Sequence, residues 1–477
     1  MEGKEPAPEP ARELPRALPL AGGLAPEEIA RYSRQMLVPA LGRGFQEALK
    51  AGAVLVVGAG GLGATIMPYL VGMGVGKVTV CDDDVVEITN LHRQVLFTEE
   101  AAAKRTPKAE AVRAFCDNLN SSVEVKILQR RFTPDVADAT LKADCCCGVE
   151  PDVIIDATDN LPSRYAVNDA CVRHGIPLVL GASVGIEGQL SIYNYNGGPC
   201  LRCVHPFPKG NNKAPTCADS GVLGAVPGLM GCLQAIEAVK LLAKLKDPAG
   251  APSLKVRNQM LHYHATTGNF HSFRMPPKRP DCALCGKPNA IIPLNVPAAC
   301  SGGSFAAAQL ASTLSDDSRI TPQAFAAAWG LDRGGDDENE HAEANANGEG
   351  SRKRQKIDDA GSSVFTFTSR QGDGARAALL DVRNATQRGI IAIEGSISMP
   401  LKQLRKRLEK PGAAPDAVLE QLRNKPAASK CFVMCRRGVD SVHATKLLME
   451  HGIQGVVNIE GGLTAWARDV DETFPMY

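Results

Sequence analysis

The sequence predicts an α/β protein of two domains, a larger one built on a mixed, largely parallel sheet and a smaller α/β one after it. Three observations carry this. Short continuous apolar runs such as AVLVV, DVIID and IPLVLGAS recur, as expected of strands buried on both faces. A glycine turn and a helix pattern follow the first of them, as a βα unit requires. The stretch from Arg333 to Ser363 then breaks the pattern, with almost no large apolar side chains and blocks of both charges, before ALLDVR and CFVM resume it.

The first 26 residues are rich in Pro, Ala and Glu and lack the apolar core of a signal peptide, so residues 1–26 read as a disordered tail. No stretch approaches the ~18 consecutive apolar residues of a membrane span, which places the protein in the cytosol with no membrane partner. The 477 residues are 44% hydrophobic and 22% charged, enough for real cores in two or three domains. A net charge of +1 gives no field for nucleic acid, and direct DNA binding is not expected. Without a secretory signal, the 15 cysteines point to thiols and metal ligands rather than a disulfide framework.

AVLVV, from Ala53, is the first strand. ATIMPYLVGMG places Ile66, Met67, Leu70 and Val71 on a helix ended by Gly72 and Gly74, with a kink expected at Pro68. KVTVCD, DVIID, IPLVLGAS and QLSIYN supply further strands, and the first domain spans residues 27–287. Residues 288–318 read as a linker. The second domain spans 319–477, with a disordered insertion at about 333–363. Within it the basic run Arg352 to Lys356 reads as a solvated charge cluster in preference to a nuclear signal. Beyond it come ALLDVR, a CFVM strand, an amphipathic helix in SVHATKLLMEHG, and VVNIEGGLTAW.

Gly58, Gly60 and Gly63 satisfy GxGxxG between a strand and a helix, where small residues let backbone amides and a helix N-terminus approach phosphate. Asp82, at the end of the next strand, can accept ribose hydroxyls in a dehydrogenase or in an ATP enzyme. TNLHRQ, with Thr89, Asn90 and Arg93, then Lys108, then Asp159 and Asn160 in DATDN, discriminate between the two. Hydride transfer needs no such set, whereas phosphates attacked by a carboxylate need cationic donors and a carboxylate for Mg²⁺. No GxxxxGK[ST] loop is present, which excludes a P-loop NTPase.

RYSRQ, GAGGLGA, DDDVVEITNLHRQ, DATDN, EGQLSIY and CADSGVLGAVPGLMGCLQAIEAVKLL resemble the adenylyltransferases of the ubiquitin-activating superfamily, in the molybdopterin-synthase and thiamine-biosynthesis branch. The resemblance covers about residues 29–287. It implies a Rossmann-like, homodimeric domain whose ATP site uses Gly61, Asp82, Asn90, Arg93, Lys108 and Asp159, with Arg34 reaching in from the neighbouring subunit. An ordinary NAD-binding domain is the alternative.

Cys200 and Cys203 form one CxxC, and Cys282 and Cys285 another; together they can supply a closed tetrahedral site for one structural Zn²⁺, as in the resembling family. Between them, HPFPKGNNKAPTCADSG reads as a mobile loop carrying Cys217. The resembling enzymes place there a cysteine that forms a thioester or accepts sulfur. Cys145, Cys146 and Cys147 read as a loop run without a role.

Cys435 lies between the CFVM strand and the next helix, so CRRGVDS can fold its amides into an anion nest. Such a setting is expected to depress the thiol pKa from about 8.5 toward the range of roughly 3.5–7.5. LLDVR, this loop and EGGLTAW resemble a rhodanese domain, whose first strand and helix RITPQAFAAAW supplies; the pattern departs at NATQRGIIAIEGSISMP, which lacks the usual Glu-Phe pair and His-Ile.

The whole chain thus resembles the eukaryotic fusion of adenylyltransferase to rhodanese. That resemblance implies adenylation of ubiquitin-like carriers ending in Gly-Gly, using ATP with Mg²⁺, followed by sulfur transfer from a Cys435 persulfide loaded by a cysteine desulfurase. The thiocarboxylates would serve tRNA wobble-uridine 2-thiolation and molybdopterin synthesis. A thiamine-branch activator and a sulfur-relay scaffold with an inactive nucleotide site are the other readings.

Overall fold

The computed structural model describes residues 23–145, 148–206, 221–245, 258–286, 310–329, 377–393, 395–409, 417–426, 429–471 and 473–475. Cys146, Cys147, Cys217 and the 333–363 insertion lie outside them. The chain forms two compact units, each with its own sheet.

The first sheet has eight strands: β1 (Ala53–Val57), β2 (Lys77–Cys81), β3 (Glu124–Leu128), β4 (Val153–Asp156), β5 (Leu178–Val184), β6 (Glu187–Tyr193), β7 (Gln259–His264) and β8 (Asn269–Arg274). Their order is β3-β2-β1-β4-β5-β6-β7-β8. β1 to β5 run parallel, and β6, β7 and β8 continue antiparallel. All five β1 residues are buried, the reason AVLVV carries no polar alternation. Helix Gly63–Gly72 runs continuously through Pro68, the site of the expected kink. It closes on left-handed Gly74 (φ +82°), with Gly74 N donating to Val71 O at 3.1 Å and Val75 N to Leu70 O at 3.1 Å.

Among the described residues, helix Ala225–Leu242 is long and apolar enough to cross a membrane. Met230, Gln234, Ala235 and Ala238 on it are instead fully buried in the first unit. Helix Pro26–Met36 begins one residue inside the expected tail.

The second sheet is parallel: β9 (Arg319–Ile320), β10 (Ala378–Asp381), β11 (Ile397–Ser398), β12 (Cys431–Met434) and β13 (Val456–Ile459), ordered β11-β10-β12-β13-β9. RITPQAFAAAW forms β9 and helix Pro322–Trp329, whose Phe325 packs on Phe432 and Trp466. Within the stretch read as a linker, Ala311 and Leu314 are buried beside Val442. Where the sequence departs from the rhodanese pattern, fully buried Arg383 pairs with Asp381 (Nη2 to Oδ2, 2.6 Å) and donates to Ile391 O at 2.9 Å.

Candidate functional site

Three of the strand ends in the first unit, those of β1, β2 and β4, lie side by side, where the sheet order changes direction and crevices form in such sheets. The glycine loop leaves β1 there. A Cβ on Gly58 (φ +101°) would sit 2.7 Å from Ala157 O, and one on Gly63 would sit 2.1 Å from Gly58 O. Only glycine admits this close approach of loop, helix and neighbouring strand. A Cβ on Gly61 would reach Pro227 at 3.1 Å and Arg93 Cγ at 3.4 Å, so Gly61 and Arg93 share one wall.

The run Asp82-Asp83-Asp84 resolves into three roles. Asp82 Oδ2 accepts from Ala59 N at 2.7 Å and fixes the glycine loop. Burial pushes its carboxyl up, against the opposing pull of Lys108. Asp83 pairs with Arg131, Nη2 to Oδ2 3.0 Å. Asp84 Oδ2 accepts from Lys108 Nζ at 2.9 Å and its carbonyl accepts Lys108 N at 2.9 Å, which holds this 7%-exposed ammonium in place.

Thr89 and Asn90 lie on a single 3₁₀ turn, Ile88–Asn90, where Asn90 Oδ1 accepts from Glu87 N at 3.3 Å. Arg93 Nη1 donates to Thr89 O at 2.9 Å and lies 2.7 Å from His92 Nε2, a ring whose pKa is lowered by burial and by Arg93. At the end of β4, Asp156 is fully buried and Asp159 exposed, with Asn160 next, before helix Leu161–His174. Burial raises the Asp156 carboxyl. Arg34 is exposed in the last turn of Pro26–Met36. The close-packed glycine loop, a paired lysine and an exposed carboxylate fit a magnesium nucleotide.

The two CxxC pairs meet. Sγ of Cys200 lies 3.8 Å from Cys203 and 3.7 Å from Cys282, and Cys203 lies 3.3 Å from Cys285; all four lie within 4.8 Å of one another. Tetrahedral zinc with Zn–S of ~2.3 Å would set such edges at about 3.8 Å. Burial and the neighbouring thiols push Cys200 up, and burial and its bond to Cys203 raise Cys285 to about 11. At Cys282 burial is outweighed by amide donors of Leu284 and Cys285, which bring it down to about 7. Four crowded sulfurs suit a cation that carries their charge.

In the second unit Cys435 follows β12, and Gly438 N donates to its Sγ at 3.1 Å, with Ser441 Oγ 3.4 Å away. Left-handed Gly461 and Gly462 press on this loop, where a Cβ on Gly462 would meet Cys435 O at 2.2 Å. Leu463 N donates to Cys435 O at 3.0 Å and Thr464 N to Arg436 O at 2.9 Å. The amide nest is present, but the expectation of a depressed thiol pKa is overturned. Only 3% of Cys435 is exposed, so burial raises the pKa, Asp440 raises it further, and the donors of Ser441 and Arg437 offset this only in part.

The parts played by Asp84, which pairs with Lys108, and Gln234, whose Nε2 donates to Asp156 O at 2.8 Å, could not be read from the sequence, since they arise from contacts across the fold.

Residues 32–284 match the ThiF family and residues 366–469 the rhodanese-like domain. The chain is 34% identical over 463 residues to "Adenylyltransferase and sulfurtransferase MOCS3" of Arabidopsis thaliana, covering 96% of this chain and 87% of that one. It is 36% identical over 485 residues to the protein of the same name from Mus musculus, covering 99% and 93%. With that of Aedes aegypti it shares 34% over 455 residues, covering 94% and 89%.

Proposed function

The chain belongs to the ThiF family, in the group that ends in a rhodanese-like domain, and from this premise we propose the reaction it carries out. It is an adenylyltransferase and sulfurtransferase. With ATP it adenylates the C-terminal carboxylate of ubiquitin-like sulfur carriers ending in Gly-Gly, and then converts the acyl adenylate to a thiocarboxylate. The products serve tRNA wobble-uridine 2-thiolation and molybdopterin synthesis. One observation carries the reading: a glycine-cradled nucleotide crevice and a cysteine anion nest occur in one chain.

A free carboxylate is anionic and a poor electrophile, so activation precedes sulfur transfer. The carrier carboxylate attacks the α-phosphorus of ATP and pyrophosphate leaves. Gly61 lets the phosphates approach the backbone, Asp82 holds the ribose, Thr89 and Asn90 shape the wall, and Arg93 and Lys108 take up developing negative charge. Asp159, followed by Asn160, is the carboxylate for Mg²⁺, which neutralises phosphate charge when bound. Arg34 acts from the partner subunit of a homodimer. Cys200, Cys203, Cys282 and Cys285 hold one Zn²⁺; four sulfurs leave no open position, so its contribution is to folding.

Cys435, loaded as a persulfide by a cysteine desulfurase, attacks the acyl adenylate and expels AMP, giving an acyl disulfide. A second thiol attacks the Cys435 sulfur, forms a disulfide with it and releases the thiocarboxylate, after which external thiols reduce the pair. Cys217 takes this part or carries the acyl group. Asp440 adds negative charge beside the loop and so favours a protein persulfide donor over dianionic thiosulfate. We place the protein in the cytosol, with the adenylation domain at 27–287 and the rhodanese domain at 319–477. Pyrophosphate exchange that requires a carrier protein tests the reading, and an enzyme inert in exchange would leave the sulfur-relay scaffold.

A further inference from the structure

We infer that Asp156 and Thr158 are positioning residues for adenylation, holding the turn that presents Asp159 beside the glycine loop. This rests on the reading of Asp159 as the magnesium carboxylate. DATD carries two aspartates three residues apart with opposite environments, the first 0% exposed and the second open to solvent. Asp156 Oδ1 accepts two hydrogen bonds from Thr158, from N at 2.9 Å and from Oγ1 at 2.7 Å. Its Oδ2 is buried and has no hydrogen-bond partner among the described residues. All the hydrogen bonds that Asp156 accepts on its carboxyl thus come from Thr158 among the described residues.

What it holds is pinned from every other side. Asp156 O accepts from Gln234 Nε2 at 2.8 Å, Ala157 N donates to Val57 O at 2.8 Å, and Thr158 O accepts from Arg164 Nη2 at 3.1 Å. Gly58, lacking a Cβ, lets Ala157 O come against the glycine loop. The turn is thus tied to β1, to helix Leu161–His174 and to helix Ala225–Leu242 at once, and Asp159 is the next residue along the chain. A carboxylate for a cation needs this fixity, since displacement by about 1 Å can cost as much as 10²-fold.

The test measures ATP affinity of the full chain at equilibrium with and without MgCl₂, so that the ratio reports tightening by magnesium apart from turnover. Thr158→Val keeps the shape and loses the Oγ–H donor. It should retain magnesium-free ATP affinity within about twofold and lose roughly tenfold of the tightening, and Thr158→Ser should restore it. Asp156→Ala should behave like Thr158→Val; should it fail to fold, the Val and Ser pair decides. A role in stability alone would move the melting temperature of Thr158→Val and leave the ratio at the wild-type value, which overturns the inference. Asp159→Ala separates the two layers. Tightening that survives in it removes the reading of Asp159 and this inference together; tightening lost in Asp159→Ala but kept in Thr158→Val overturns the positioning role alone.

Discussion

Arg202 grips Asp169 through two parallel hydrogen bonds, Nε to Oδ1 at 2.8 Å and Nη2 to Oδ2 at 2.6 Å, with side chains only 6% and 7% exposed. The same guanidinium lies 4.9 Å from the ring centroid of Tyr165, whose hydroxyl donates to His205 O at 3.0 Å. Arg202 stands between Cys200 and Cys203, and Asp169 and Tyr165 lie on the helix that starts just after Asp159 and Asn160. The ion pair therefore ties the four-sulfur cluster to the helix behind the nucleotide crevice.

Removing one partner leaves a charge buried without its complement. Arg202→Ala should cost about 3–5 kcal/mol of stability, read from urea unfolding of the first unit. The double variant Arg202→Met with Asp169→Leu should lose less than Arg202→Ala alone, because neither charge is then stranded. Equal losses in the two would show that packing, and not charge, makes the link.

The cluster itself predicts one zinc per chain by elemental analysis. Chelation, or Cys282→Ala, should lower the melting temperature and broaden the unfolding of the first unit, since metal binding there is folding free energy. Sulfur loading at Cys435 should survive both treatments. A purified chain without metal that still unfolds sharply at the same temperature ends the hypothesis.

How far the sequence could be read follows from which side chains meet water. β1 and β12 bury every residue and appear as plain apolar runs, and β4 does so up to the buried Asp156 at its end. β8, NFHSFR, is exposed along its whole length, and β3, EVKIL, buries only Val125 fully, so neither carries a pattern. The glycine spacing and the CxxC pairs are legible because backbone approach and metal geometry demand those residues. The partners of Asp82, Asp83 and Asp84 are not, since three adjacent carboxylates differ only in what folding brings to each. Cys435 shows the same limit: its loop announces an anion nest, but the closure by Gly461 and Gly462 that buries the thiol comes from a segment 26 residues further on.

That closure sets a pH dependence. Burial and Asp440 raise the Cys435 pKa above the ordinary thiol value, so the thiolate fraction at neutral pH is below that of an open cysteine and grows about tenfold per pH unit below the pKa. Iodoacetamide labelling of the Cys435 peptide, followed by mass spectrometry, should be slow at pH 7 and still rising at pH 9. Asp440→Asn should label faster throughout. A plateau below pH 8 would mean that the loop opens and the thiol ionises as the sequence alone suggests.

The proposed sharing of the nucleotide site between subunits predicts complementation. Arg34→Ala and Asp159→Ala chains, each inactive in pyrophosphate exchange as homodimers, should recover part of the activity when mixed, because a heterodimer contains one site with both residues intact. Heterodimers verified by differential tagging that remain inactive would assign Arg34 to its own chain's site or to none.

Two chemistries in one chain should separate by mutation. Cys435→Ala removes the sulfur-bearing thiol and leaves Asp82, Arg93, Lys108 and Asp159 in place, so adenylate formation should persist while thiocarboxylate formation stops. Asp159→Ala should do the reverse, sparing persulfide formation at Cys435 while exchange falls by at least two orders of magnitude as the phosphates lose the carboxylate proposed for magnesium. Carrier-dependent exchange, persulfide labelling and carrier mass spectrometry on both variants give the complete readout. Normal thiocarboxylate from Cys435→Ala would show that sulfur travels through another cysteine, with Cys217, the second thiol of the proposed reaction, the first to substitute.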